Sequence, residues 1–263
     1  MTTKIPERIV PGTRGWQTYF AEHIQRYEFA SAYCNHKNVL DIACGVGYGS
    51  RYLLSKGALS VVGIDISSDA IQFANKTYIT AGIRFAQDDA CHLKLDAGTF
   101  DLVISFETIE HVSSPDLFIE NIYRVLRPGG CLICSTPNTD FTPITGIVES
   151  NPYHISDLSL HDLERITTGR FVIRSIYGQT HTDSFRRHQL VVNELAKMNK
   201  TLRFNKILRF ENAVRKLLGK ETWDNPQLSP ELNSYVSSDM QIEEYKIPSP
   251  HILTYILVMD KIK

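Results

Sequence analysis

Apolar and polar positions along this chain follow two alternating periods. Short apolar runs that end in acidic or small residues stand at Val39–Ile42, Val61–Ile64, Ile83–Ala86, Phe100–Phe106, Cys131–Thr136 and Phe171–Tyr177, and a last one lies in H-I-L-T-Y-I-L-V-M-D from His251. Between them apolar residues return every three or four positions: Phe20, Ile24, Tyr27 and Ala30 or Ser31 within Gln17–Tyr33; Tyr48 to Lys56; Ala70 to Ile79; and Phe118, Ile122, Val125 and Leu126. The first period is that of buried strands and the second that of amphipathic helices. Ser67–Asp69 and Ser114–Pro115 supply helix starts, while Gly57, Gly82 and Arg127-Pro128-Gly129-Gly130 supply stops. Strand and helix in strict alternation predict right-handed crossovers and a parallel sheet.

Beyond Asn138 the alternation loosens. A helix through Leu158–Ile166 precedes the sixth strand, and about 70 residues then separate it from the last run. Helical spacing at Ile207, Phe210, Val214, Leu217 and Leu218 predicts a helical insertion there, because so long a segment is no hairpin loop. It would cover the active site, form a dimer contact, or both. Residues 1–15, with Pro6, Pro11, Gly12 and Gly15, read as extended or loosely attached. No internal repeat or low-complexity segment interrupts the pattern.

Composition changes this picture little. The 263 residues are 43% apolar and 22% charged, with a net charge of −1 that speaks against a generally polyanionic partner. Arg186 to Lys220 is the local exception, with ten basic residues against Glu194 and Glu211; it reads as a solvated helix face or as a surface for an acidic substrate. The absence of a long uncharged apolar stretch, and an N-terminus M-T-T-K-I-P-E-R without an apolar core, lead us to expect a cytoplasmic protein that does not enter a membrane. Five scattered cysteines are no disulfide framework. Cys131 and Cys134, three apart on a strand, should point to opposite faces.

The chemistry concentrates in V-L-D-I-A-C-G-V-G-Y-G-S, Val39 to Ser50, a buried strand turning into a helix through three glycines. Gly45-x-Gly47-x-x-Ser50, with Asp65 twenty residues beyond Gly45, approaches the dinucleotide fingerprint. Asp41 discriminates against it, because a carboxylate at the strand end suits a cationic amino group and repels a pyrophosphate held at the helix N-terminus. Asp41-x-x-x-Gly45-x-Gly47-x-Gly49 resembles motif I of the class I S-adenosylmethionine-dependent methyltransferases. Asp65 and Asp89 repeat the pattern of an acid after an apolar run, each 24 residues beyond the last. L-R-P-G-G before the fifth strand extends the resemblance over Val39–Asn138.

The resemblance implies a Rossmann-like α/β fold: a mainly parallel seven-stranded sheet with an antiparallel last strand, and a helical insertion between strands six and seven. It divides the chain into an N-terminal helical lid (1–38), a cofactor-binding core (39–181), the insertion (182–250) and a closing strand (251–263). For S-adenosylmethionine it implies that Arg26, with His23 and Tyr27 nearby, and Asp41 face the methionine end. Ala43, Gly45 and Gly47 would form the loop, Asp65 with Ile66 would meet the ribose, and Asp89 with Ala90 the adenine, Phe106 bordering them. Beyond Asn138, Asn151-Pro152-Tyr153-His154 resembles the small-molecule and sugar-methylating members.

Methyl transfer from a sulfonium is an in-line displacement governed by positioning and water exclusion, and a hydroxyl acceptor also needs a base or a metal. Glu107, Glu110 and His111 would share one face if their segment is helical. E-x-x-E-H-V resembles the same stretch of ubiquinone-biosynthesis O-methyltransferases, where it is associated with a divalent metal. A base or substrate contact, a metal site and a plain helix start all stay open there. We take Glu110, His111 and His154 as catalytic candidates, assign no metal, and rank His181 and His188 below them. The expected function is methyl transfer to a small-molecule acceptor, most naturally at oxygen of a sugar or secondary metabolite in natural product biosynthesis. The alternatives are an RNA or protein methyltransferase, or a non-catalytic subunit that binds S-adenosylmethionine. Ser105-Phe106-Glu107-Thr108 stands where amino-group methylases of nucleic acid or protein carry Asn or Asp-Pro-Pro-aromatic, so neither partner is expected.

Overall fold

The computed structural model describes residues 16–139, 153–182, 240–245 and 252–262. Helix α1 (Trp16–Ser31) leads into β1 (Asn38–Ile42), α2 (Tyr48–Ser55), β2 (Ser60–Asp65), α3 (Ser68–Tyr78), β3 (Ile83–Gln87) and β4 (Phe100–Phe106). A single 3-10 turn (Ile109–His111) follows, then α4 (Pro115–Val125), β5 (Leu126–Pro137), α5 (Leu160–Thr167), β6 (Phe171–His181), β7 (Met240–Glu244) and β8 (Thr254–Lys261). The strand order is β3-β2-β1-β4-β5-β8-β6-β7. The pairs among β1 to β5 are parallel, whereas β8 runs antiparallel between β5 and β6.

The sheet therefore has the expected class and one more strand than the seven expected. β6 extends past Tyr177 to His181, and its outer edge pairs antiparallel with Met240–Glu244. An unpaired sheet edge leaves backbone donors and acceptors open, and β7 satisfies them. The end of the segment expected to be a helical insertion is thus a strand. Residues 183–239, which hold the basic stretch Arg186–Lys220, His188 and the helical spacing at Ile207–Leu218, lie outside the described residues, as do 1–15 and Asn151-Pro152.

Strand alternation builds two cores. Val39, Leu102, Ile104, Cys131, Ile133, Ile256 and Val258 face α1, α2 and α3. Leu40, Val103, Leu132, Cys134, Leu257 and Met259 face α4 and α5. Cys131 and Cys134 fall on opposite faces, and all five cysteines are buried and free, which excludes a redox pair. Phe118, Ile119, Ile122 and Val125 on α4 have no exposed surface. Each such side chain contributes about 1.5–3 kcal/mol by leaving water. Ser67 caps α3 by accepting from Ala70 N–H, and Ser159 with Asp162 forms a reciprocal capping box on α5. At α4 Pro115 takes the first helical position, but the Ser114 side chain makes no capping bond.

This order places a topological switch point between β1 and β4, because the chain builds outward from β1 through β2 and β3 and then returns to add β4 and β5. Ligands of open α/β sheets bind outside the carboxyl ends of the strands at such a point. No helix of the described residues is long and apolar enough to cross a membrane.

Candidate active site

Two non-glycine residues in the left-handed region mark the ends of the switch-point strands: Ala43 (φ 56°) after β1 and Glu107 (φ 48°) after β4. Backbone strain of this kind persists only where the surroundings enforce it, and it concentrates at functional sites. Gly47, at φ 88° and with Ala74 and Phe85 2.8 Å from where a Cβ would lie, caps the start of α2. At Gly49 a Cβ would fall 2.0 Å from the Tyr27 ring. Glycine here lets α1 lie directly on the loop.

Asp41 is fully buried. Its oxygens accept from the Tyr27 hydroxyl at 3.0 and 3.2 Å and from the Ser50 hydroxyl at 2.5 Å. Burial pushes its carboxyl up to about 7, with the nearby Asp65 charge adding to the rise and the two hydroxyls opposing it. The carboxylate thus touches α1 and α2 rather than open crevice. Asp65 accepts from Gly45 N–H at 3.0 Å and Ser67 N–H at 2.8 Å, tying the glycine loop to the end of β2. Ile66 beside it is 68% exposed, an apolar surface at the crevice rim. Asp88 accepts from Asp89 N–H and Lys94 N–H and holds the loop after β3. Asp89 accepts from Cys91 N–H and meets His92 Nδ1 at 3.1 Å, contacts that hold its carboxyl below the usual carboxylate range. Ala90 is partly exposed behind it, and Phe106 is buried edge-on to Tyr27 with ring centroids 5.1 Å apart.

Arg26 is 1% exposed although it carries a charge. Its Nη1 donates to Gln179 Oε1 at 2.6 Å, its Nε has no hydrogen-bond partner, and no carboxylate of the described residues pairs with it. Gln179 on β6 in turn donates to Glu22 O and Gln25 Oε1, which fastens α1 to the sheet. Glu22 touches solvent only in part; burial raises its carboxyl to about 7, with Arg26 opposing and Glu107 reinforcing the rise. Burial and Arg26 both hold the His23 imidazole well below its ordinary value.

Glu107, Glu110 and His111 do not share a helix face. Only Ile109–His111 is helical, Glu107 is left-handed, and its carboxylate accepts from Ser135 Oγ at 2.7 Å. The structure instead joins Glu110 and His111 to His154, one ligating atom of each lying within 4.8 Å of the others. Glu110 is 1% exposed; one oxygen accepts from Thr136 Oγ1 at 3.2 Å and the other has no hydrogen-bond partner. Its backbone carbonyl accepts from Ile155 and Ser156 N–H, which brings the Tyr153–Ser156 loop alongside. His181, at the end of β6, is not one of these three.

A sequence profile described as a methyltransferase domain matches residues 40–134. The chain is 31% identical over 177 residues to a Mycolicibacterium smegmatis protein described as a probable S-adenosylmethionine-dependent methyltransferase, covering 66% of this chain and 67% of that one. The chain belongs to the class I S-adenosylmethionine-dependent methyltransferases. S-adenosylmethionine is the cofactor of this methyltransferase, and the strand-end crevice is where the fold binds ligands. A fatty-acid O-methyltransferase of the same organism is 36% identical over 110 residues, 41% of this chain and 40% of that protein. An S-adenosylmethionine-dependent methyltransferase of Mesorhizobium loti superposes with a TM-score of 0.55 at 16% identity over 95% of this chain and 98% of that one, a likeness of fold.

Ser50, Thr136, Glu22 and Gln179 were not legible as site residues. Ser50 fills the third position of the glycine pattern and gives no sign that it faces Asp41. Gln179 stands in a polar run after an apolar strand, and only the pairing of β6 with β7 and β8 carries it to Arg26.

Proposed function

We propose that this methyltransferase transfers the methyl group of S-adenosylmethionine to a hydroxyl of a small-molecule acceptor. The observation that carries this reading is the Glu110–His111–His154 cluster at the mouth of β4, one strand from the glycine loop. Burial, reinforced by the Glu107 charge, raises the Glu110 carboxyl well above its ordinary value, with Thr136 and Arg26 opposing the rise. A carboxylate and two imidazoles beside the methyl donor suit an acceptor whose proton must leave, because a neutral alcohol is a poor nucleophile at pH 7.

In this reading the buried Arg26 guanidinium, without a carboxylate of its own, receives the methionine carboxylate. Glu22 and Glu110 act on it only through space, and its Nε, without a hydrogen-bond partner, is left as a donor for the ligand. Asp41 acts toward the ammonium group from behind Tyr27, Asp65 meets the ribose diol, Ile66 and Ala90 flank the adenine, and Asp89 accepts from its amino group. α1 closes the crevice against water.

Calorimetric titration with S-adenosylhomocysteine, followed by transfer of labelled methyl from S-adenosylmethionine to a panel of fatty acids, phenols, sugars and amines, tests this. Micromolar binding together with methyl ethers or esters among the products is expected. Label appearing only on amines, or on RNA or protein, would overturn the assignment to oxygen of a small molecule. Binding without transfer to any acceptor would favour a non-catalytic subunit.

A further inference from the structure

We infer that Gln179 is a positioning residue, whose neutral amide aims the Arg26 guanidinium at the carboxylate of an amino-acid-bearing ligand without cancelling its charge. The inference rests on the crevice being a methyl-transfer site in which Arg26 receives that carboxylate. Gln179 lies on β6 and is fully buried. Its backbone is paired on both sides, opposite Thr254 of β8 and Ile242 of β7, and its carbonyl accepts from Leu253 N–H at 2.8 Å. The side chain therefore rises from a backbone that neighbours hold on both edges.

The orientation of the amide follows from its partners. Glu22 O, 3.0 Å from Nε2, is a backbone carbonyl and only accepts, so the NH2 end faces α1 there. Nε2 also donates to Gln25 Oε1 at 2.7 Å. Oε1 is then turned to Arg26 and accepts from Nη1 at 2.6 Å. One side chain thus gathers three residues of α1. Exchanging its ends would set N–H against N–H at Arg26 and oxygen against oxygen at Glu22.

The charge of that acceptor is the second observation. A guanidinium is planar, so a bond at Nη1 restricts the plane in which Nε–H points. Nε is buried and has no hydrogen-bond partner. A carboxylate in place of the amide would grip the fork at two nitrogens and pair its charge within the protein. The amide holds Nη1 and leaves both the Nε donor and the positive charge for a ligand. Glu22 and Glu110 do not substitute for that ligand, because burial raises both carboxyls and so favours their neutral forms. The class selected is an adenosine thioether or sulfonium carrying an amino-acid tail, over nucleosides that lack the tail.

The test uses the full chain and two probes, S-adenosylhomocysteine and methylthioadenosine, which keeps the nucleoside and the thioether but has no carboxylate. Calorimetry gives the affinity of each. Gln179→Leu removes the acceptor, whereas Gln179→Glu keeps it and adds a charge. Both should weaken S-adenosylhomocysteine binding at least about tenfold and leave methylthioadenosine within about twofold of the parent. In Arg26→Met, which has no guanidinium to position, adding Gln179→Leu should weaken S-adenosylhomocysteine binding by no more than about twofold further. Should a Gln179 variant fold poorly, nitrogen resonances of the unmutated protein decide by themselves. The Arg26 Nε–H and Gln179 side-chain N–H signals should move on adding S-adenosylhomocysteine and far less on adding methylthioadenosine.

Signals that ignore S-adenosylhomocysteine, equal losses for the two probes, or fully additive losses in the double variant overturn the positioning role. A preference for S-adenosylhomocysteine that disappears in Arg26→Met but survives in both Gln179 variants overturns it as well, and leaves the methyl-transfer reading standing. A parent chain that binds neither probe overturns that reading and the positioning role with it.

Discussion

Tyr27 on α1 donates its hydroxyl hydrogen to Asp41 on β1, 3.0 Å from one carboxylate oxygen and 3.2 Å from the other. This bond joins the N-terminal helix to the strand that begins the glycine loop, and it ties together two ionisable groups that burial perturbs in the same direction. The Asp41 carboxyl is pushed up to about 7, and the Tyr27 phenol is raised well above its ordinary value by burial first and by the Asp41 charge second.

A pH dependence of stability follows. The folded state binds the Asp41 proton more tightly than the unfolded chain, where the group titrates near 3.8. Its contribution is therefore fully present below pH 3.8 and is lost as pH rises through about 7. The loss is on the order of 4 kcal/mol, from roughly three units at 1.36 kcal/mol each. Glu22, raised to about 7, acts with the same sign. Subtracting the urea-unfolding profile of Asp41→Asn from that of the parent isolates the Asp41 part. A flat difference between pH 4 and 7 would show that Asp41 is not buried as described.

Tyr27→Phe removes one of the two hydroxyl donors to a buried carboxyl. Stability at pH 8 should fall by about 1–3 kcal/mol, and less at pH 5, where Asp41 is mostly protonated. Chemical denaturation at the two pH values checks the difference.

Gly49→Ala puts a methyl group 2.0 Å from the Tyr27 ring, so α1 must shift. A loss of about 1–3 kcal/mol is expected from overpacking, together with faster proteolysis at α1 than in the parent. Cleavage kinetics by mass spectrometry would reveal whether α1 stays docked instead.

Arg26→Met exchanges a buried charge, which no carboxylate of the described residues pairs, for an apolar side chain of similar length. Its melting temperature should fall only modestly, the Gln179 acceptor left unpaired being offset by removal of the buried charge, while S-adenosylhomocysteine affinity falls by about 10- to 100-fold, the worth of a charged hydrogen bond. A loss of affinity well beyond the loss of stability separates a ligand contact from a merely structural arginine. Equal affinity would assign the residue to packing alone.

Asp65→Ala frees Gly45 N–H and Ser67 N–H as well as any ribose contact, so both stability and affinity should drop. Asp65→Asn keeps one acceptor oxygen for the loop. It should recover much of the melting temperature but leave S-adenosylhomocysteine binding at least about tenfold weaker, since an amide replaces one of two acceptors for a diol.

By itself the sequence determined the alternation of strands and helices from Val39 to Asn138, the glycine turn and the three strand-end acids. These are local properties: apolar runs of period two, stripes of period 3.6, caps, and glycines where the backbone turns back on itself. It also separated Cys131 from Cys134, because the direction of a side chain on a strand follows from counting. Tertiary structure alone decided which distant residues meet. Arg26 finds Gln179 across 153 positions, and Asp41 finds Tyr27 and Ser50 on two different helices. His154 joins Glu110 because backbone bonds dock its loop, and Glu107 leaves that group because a left-handed turn re-aims it. The eighth strand is of the same kind. Met240–Glu244 carries little apolar pattern, and the free edge of β6 makes it a strand. Period and spacing record what each residue does relative to its chain neighbours; burial, charge pairing and edge closure depend on partners that only the folded sheet brings within reach.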